Sequence, residues 1–170
     1  MNEPVKMYTD GACKGNPGPG GYGVVLLSGE RRKELSGGFR KTTNNRMELL
    51  ACIEGLRSLK RPCAVELTSD SSYVVNAIEK GWAKRWRSKG WNLSPSKPAK
   101  NSDLWKQLLD LCAEHTVSFH WVKGHAGHPE NERCDALAGE ACHLKDLPAD
   151  LAFETSALTD DLFNVGYASE

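Results

Sequence analysis

Asp10, Glu48, Asp70 and Asp135 are the residues of this 170-residue chain whose types and settings could do chemistry together. Asp10 closes a predicted strand in Thr-Asp-Gly and Asp70 closes another in Thr-Ser-Asp-Ser, at the strand ends where ligands bind in sheets with helical crossovers. Glu48 and Asp135 fall in the early turns of two predicted helices. Singly, each has an ordinary structural reading. Asp-Gly is a turn signal, Asp70 suits the N-cap of the helix after it, Glu48 with Asn45 fits a capping box, and Asp135, sharing a face with Asn131, fits a solvated helix position. Converged, they would be something else. Two carboxylates about 4 Å apart repel by roughly 4 kcal/mol at an effective dielectric near 20, so such a cluster is tolerated when protonated or bridged by divalent cations. Oxygen-only ligands favour Mg²⁺ or Mn²⁺ over zinc, and two such ions roughly 4 Å apart activate water and stabilise the leaving oxygen of a phosphodiester.

His125 stands in Lys-Gly-His-Ala-Gly, a glycine-flanked loop where an imidazole could move protons near neutral pH or be an exposed spectator. His125, His128, Cys134 and Cys142 also offer zinc ligand types. Their spacing fits neither a paired-cysteine knuckle nor an H-x-x-x-H helix face, which disfavours zinc. Between Gly81 and Lys100 lie six cations (Lys84, Arg85, Arg87, Lys89, Lys97 and Lys100) and no acid, interleaved with Trp82, Trp86 and Trp91. That composition suits a nucleic-acid surface. The ordinary reading is a small amphipathic helix whose Trp82 and Trp86 pack on the body. The literal G-x-G-x-x-G of Gly18–Gly23 is not a dinucleotide site, because a strand rather than a helix follows it.

The elements that must carry these residues follow from periodicity and punctuation. Strands are predicted at Val5–Thr9, Val24–Leu27 and Lys33–Phe39, with residues 15–23 as a Gly/Pro loop. A helix is predicted from Asn44 to Lys60 on the spacing of Leu49, Cys52, Ile53, Leu56 and Leu59. Then come a strand at Ala64–Thr68, a helix at Ser71–Glu79, a short helix around Trp82–Arg87 with a Pro-containing loop, a helix at Asp103–Glu114, a strand at Val117–Val122 and a helix at Pro129–His143. Three antiparallel strands followed by alternating strands and helices predict an α/β fold, a mixed five-stranded sheet flanked by helices.

Composition bounds the rest. At 18.7 kDa with 39% hydrophobic and 26% charged residues, the chain is one compact domain with an appendage at most, and disorder is excluded as a general description. The longest apolar stretch is too short to span a bilayer, and the N-terminus lacks the pattern of a secretion signal, so the expected location is cytoplasmic. Six cysteines without a C-x-x-C pair read as mostly free thiols. The zero net charge hides an asymmetry: residues 1–150 carry 22 cations against 18 acids, and the last 20 residues hold Glu154, Asp160, Asp161 and Glu170 without a cation.

Four long motifs occur in order: Tyr-Thr-Asp10-Gly-Ala-Cys-Lys-Gly-Asn-Pro-Gly-Pro-Gly-Gly-Tyr-Gly, Thr-Thr-Asn-Asn-Arg-Met-Glu48-Leu, Thr-Ser-Asp70-Ser-Ser-Tyr-Val, and Trp-Val-Lys-Gly-His125-Ala-Gly-His-Pro-Glu-Asn-Glu-Arg-Cys-Asp135. Over about residues 4–145 the chain closely resembles the type 1 ribonuclease H family. The resemblance implies endonucleolytic hydrolysis of the RNA strand of RNA/DNA hybrids, leaving 3′-hydroxyl and 5′-phosphate ends, with two Mg²⁺ ions (Mn²⁺ as substitute) in the substrate complex. It makes Asp10, Glu48, Asp70 and Asp135 the metal-binding catalytic carboxylates. Asp10 would bridge the ions, Glu48 and Asp70 would hold the one nearer the attacking water, and Asp135 would help to hold the other. It makes His125 an aid to proton transfer or product release. It gives Cys13, Asn16, Asn44 and Asn45 contacts in the hybrid minor groove, where small polar groups suit 2′-hydroxyl recognition. Thr43 and Asn101 resemble a DNA-phosphate pocket, Trp82 an aromatic wall beside the DNA strand, and the segment with Lys84, Arg85 and Arg87 a basic handle. Ser72 and Asn76 depart from the longer amides of some relatives. The expected organisation is a catalytic domain over 1–147 and an acidic tail over 148–170, docked, disordered or bound to a protein partner, in a monomer without membrane contact. The alternative is a hybrid-binding module that has lost catalysis.

Overall fold

The structure, a computed structural model, describes residues 3–164, with side chains through residue 158; Tyr167 and Glu170 of the tail lie outside the described residues. Strands β1 (Val5–Cys13), β2 (Gly18–Ser28) and β3 (Arg31–Thr42) form an antiparallel meander, and helix α1 (Asn44–Arg57) returns the chain to β4 (Ala64–Ser69). Helices α2 (Ser72–Glu79) and α3 (Trp82–Ser88), a small ribbon of β5 (Asn92–Ser94) and β6 (Lys97–Pro98), and helix α4 (Ser102–Glu114) lead to β7 (Thr116–Trp121). Helices α5 (Pro129–Cys142) and α6 (Leu151–Asn164) follow. The main sheet has the order β3-β2-β1-β4-β7, with β1, β4 and β7 parallel. It is the mixed five-stranded sheet that the sequence predicts.

The core lies between this sheet and α1, α2 and α4, filled by Met7, Met47, Leu49, Ile53, Leu56, Leu67, Trp105 and Leu108, all without solvent exposure. Helix α5 covers the other face. Here the structure departs from the predicted loop: residues 18–23 are strand. An added Cβ at Gly21 would sit 2.3 Å from Ala138 O, and one at Gly23 would sit 2.3 Å from Cys134 O, so the glycines let α5 lie directly on β2. Helix-sheet contact thus overrides the low strand propensity of glycine. Helix α1 ends at Arg57 rather than Lys60, with the Ser58 N–H donating to Glu54 O at 3.1 Å.

Beyond residue 147 the chain lies against β3 and α1. Arg40 N–H donates to Pro148 O at 2.9 Å, the Thr42 hydroxyl donates to Asp150 at 2.7 Å, and Arg40 pairs with Glu154 at 3.2 Å. No helix of the described residues is long and apolar enough to cross a membrane.

Candidate active site

Asp10 does not end its strand. β1 continues to Cys13, and the Gly11 N–H donates both to Asp10 Oδ1 (3.0 Å) and to Glu48 Oε1 (2.8 Å). A Cβ at Gly11 would stand 2.4 Å from Glu48 N and 2.6 Å from Met47 C, so only glycine lets β1 meet the first turns of α1 this closely. Thr43, not Asn45, caps α1, its hydroxyl accepting from Arg46 N–H at 3.3 Å, which leaves the Glu48 carboxylate free of a capping role. Ser71 likewise caps α2, accepting from Val74 N–H at 3.2 Å, so Asp70 is not spent on a helix end. The local structural readings of Asp10, Glu48 and Asp70 are thereby removed one at a time.

The three carboxylates converge: one oxygen of each lies within 4.8 Å of the others, with Asp10 and Glu48 buried and Asp70 half-buried. Burial, then the neighbouring Glu48 and Asp70, raise the pKa of Asp10 far above the ordinary carboxylate range. Glu48 is raised as well, first by burial, with Asp70 and Asp135 adding to the effect and hydrogen bonds from Asp10 and Gly11 opposing it. Glu48 Oε2 is buried and has no hydrogen-bond partner among the described residues. Such an orphaned acceptor is costly. A divalent cation would satisfy it and reverse the repulsion that holds protons on the cluster, so the donor set fits a hard metal ion.

Asp135 is exposed on α5 and stays outside the cluster of three, near enough to act on Glu48 electrostatically. The close seating of α5 on Gly21 and Gly23 brings it there. His125 is exposed in the loop before α5, in left-handed backbone geometry (φ 55°). Neighbouring Gly124 leaves so little room that a Cβ would stand 2.8 Å from Asp70 Oδ2. The zinc set does not assemble. His128 caps α5 and tilts against Tyr8 (centroids 5.3 Å), while the buried thiols of Cys134 and Cys142 donate to Tyr8 O (3.1 Å) and Ala12 O (3.5 Å).

Beside the carboxylates the structure gathers several of the predicted contact residues. Asn16 Oδ1 accepts from Asn44 N–H at 3.0 Å, Asn45 is exposed next to it, and the Cys13 thiol donates to Thr42 O at 3.3 Å. Asn101, left-handed at φ 61°, accepts from Arg46 Nη1 at 3.3 Å and donates to the Tyr73 hydroxyl at 3.1 Å. Trp82 and Trp86 pack on the core, Trp86 edge-on to Trp105 at 5.8 Å, so the amphipathic reading of α3 holds for its tryptophans. Its cations face solvent, with Arg87 held by Asp110 at 2.8 Å.

The family model described as RNase H matches residues 2–143, the whole five-stranded sheet with helices α1 to α5. The chain belongs to the RNase H family. A ribonuclease H of Desulforamulus reducens is 66% identical over 147 residues, covering 86% of this chain and 92% of that one. Among solved structures, LC9-RNase H1, a type 1 RNase H with the type 2 active-site motif, superposes with a TM-score of 0.74 at 32% identity, over 84% of this chain and 74% of the other. LC11-RNase H1 in complex with an RNA/DNA hybrid superposes at 0.63 with 25% identity, over 81% and 96%. Within the RNase H fold, the residues that sequence reasoning missed are Gly11, Arg46, Tyr73, Asp103, Trp121, Gly124 and Asp150. Arg46 carried a signal: with Leu49, Leu50 and Ile53 it shares the helix face that faces the core, an unusual place for an arginine.

Proposed function

We propose that this RNase H family chain cleaves the RNA strand of RNA/DNA hybrids, using divalent cations held by Asp10, Glu48, Asp70 and Asp135. The observation that carries this reading is the convergence of three carboxylates around a buried, unpartnered Glu48 oxygen. Mg²⁺ bound there would supply Lewis-acid activation of water and neutralise charge on the phosphodiester, giving 3′-hydroxyl and 5′-phosphate ends. Gly11 fixes the Glu48 carboxylate, α5 supports Asp135, and His125 in its exposed loop is the group free to exchange protons with solvent and product. Cys13, Asn16, Asn44 and Asn45 form a small polar ledge suited to a shallow groove displaying 2′-hydroxyls, the feature that separates RNA from DNA. Thr43 and Asn101 take a phosphate of the DNA strand, and Trp82 with Lys84, Arg85 and Arg87 grips its backbone. The chain acts as a monomer in the cytoplasm, and a protein partner for the tail is a further part of the reading.

The deciding experiment follows an end-labelled RNA strand presented as hybrid, duplex RNA or single strand, with Mg²⁺ or EDTA. Metal-dependent cutting of the hybrid alone is expected. Binding of the hybrid without any cutting would replace the enzyme with the binding-module alternative. Neutral replacement of Lys84 and Arg85 should reduce the slope of log affinity against log salt by about two, one for each phosphate no longer neutralised. An unchanged slope would remove the handle from the interface.

A further inference from the structure

At the end of β7 an exposed aromatic residue is tied to the candidate metal site. The ladder between β4 and β7 reaches the Val122 N–H on Ser69 O (3.0 Å), and the Trp121 indole N–H then donates to Asp70 O at 3.1 Å. A side chain thus extends the sheet by one bond at the residue where β4 turns away into α2. Trp121 is 54% exposed, so burial of its ring does not account for its place. Three residues on, Gly124 closes against the other end of Asp70, where a Cβ would lie 2.8 Å from Oδ2. Gly124 does not need glycine for a left-handed backbone, since its φ is not positive. Glycine at this position makes room for the carboxylate. Asp70 itself, unlike Glu48, has no backbone N–H donor fixing its carboxylate among the described residues, and the end of β7 with the loop after it meets it at both its carbonyl and its carboxylate.

We propose that Trp121 is a positioning residue for metal binding: its indole N–H and the space left by Gly124 together set the direction in which Asp70 presents its carboxylate to Asp10 and Glu48. This rests on the metal-binding reading above. The side chain that would hold the site together lies on the strand leading into the His125 loop, so the same segment orients Asp70 and carries that histidine.

The test is an NMR titration of the free protein with Mg²⁺ alone, with hybrid binding in EDTA as the second readout. Trp121→Phe keeps a ring and removes the donor, and it should raise the Mg²⁺ midpoint about five-fold, the effect of one missing hydrogen bond. Gly124→Ala should raise it as well while keeping the indole bond, and it decides the matter if Trp121→Phe fails to fold. Hybrid affinity in EDTA should be unchanged in both. A wild-type midpoint in the folded variants overturns the proposal, and so does a loss confined to hybrid affinity, which would make Trp121 a direct nucleic-acid contact. A wild-type protein that shows no Mg²⁺-dependent shift at Asp10, Glu48 or Asp70 overturns the metal reading itself.

Discussion

Two buried charges stand two residues apart at the start of α1 and meet opposite fates. Arg46 and Glu48 are each 4% exposed. The Arg46 guanidinium donates to Asp150 through Nε (2.7 Å) and Nη2 (3.1 Å), and to Asp103 through Nη1 (2.9 Å) and Nη2 (2.7 Å), with Asn101 as a fifth acceptor. Its pairing with the two carboxylates overcomes the opposing effect of burial and raises its pKa. Glu48 has one backbone donor, acidic neighbours and an orphaned oxygen. A buried charge that the protein satisfies completely is structural, whereas one left among like charges is waiting for a ligand. The Arg46 network joins α1 to α4 and to the segment before α6, and Asn101 lies in it, so the structural charge also steadies the proposed phosphate pocket.

The largest effect falls on Asp10, in the cluster left without a counter-charge. Asp10→Asn should lower cleavage at least about a thousand-fold, roughly 4 kcal/mol of barrier, while hybrid binding persists. Retained cleavage in a single-turnover assay would remove the carboxylate cluster from the reaction. On the structural side, Arg46→Met strands Asp150 as an uncompensated buried charge and should cost about 3 kcal/mol or more. In thermal unfolding that is a fall of roughly 10 °C in Tm for a chain of this size. A Tm equal to wild type would mean that the network contributes nothing net. Asp150→Asn is milder because the amide keeps an acceptor for Thr42 and Arg46; it should cost about 2 kcal/mol, read as a shift in denaturant midpoint with an unchanged m-value.

The smallest expected effect has the opposite sign. Asp10 titrates near 3.8 when unfolded and at higher pH when folded, because burial and Glu48 keep the proton on. Between those values the folded state binds more protons, so this group's contribution to stability declines as pH rises from about 4 through the folded pKa. Asp10→Asn removes that penalty. Its Tm should exceed wild type by a few °C, about 3 °C per kcal/mol recovered, in metal-free buffer, with a larger gain at pH 8 than at pH 5. An equal gain at both pH values would show that charge repulsion is not the cause.

Much of the fold was legible because local patterns dictate local elements. The spacing of Leu49, Cys52, Ile53 and Leu56 made α1 readable, and Pro129 with Glu130 marked the start of α5. Gly18–Gly23 reads as loop because glycine is a poor strand former by itself, and what makes it strand is the close approach of α5. The site was legible as residue types within four motifs. Its local alternatives stayed open because capping is decided by a residue's exact neighbours: Thr43 and Ser71 took the caps, freeing Glu48 and Asp70.

By itself the sequence determined the mixed sheet, the carboxylates worth testing and the basic segment, since periodicity, turn chemistry and side-chain type act over a few residues. Only the tertiary structure decided that Asp10, Glu48 and Asp70 meet while Asp135 stands apart, that Asp150 reaches back 104 residues to Arg46, and that the Trp121 indole donates to the Asp70 carbonyl. These are contacts across long stretches of chain, and their geometry is set by how closely helices seat on the sheet. That seating depends on steric details, such as the missing Cβ atoms of Gly11, Gly21 and Gly23, which have meaning only once the partner surface is in place.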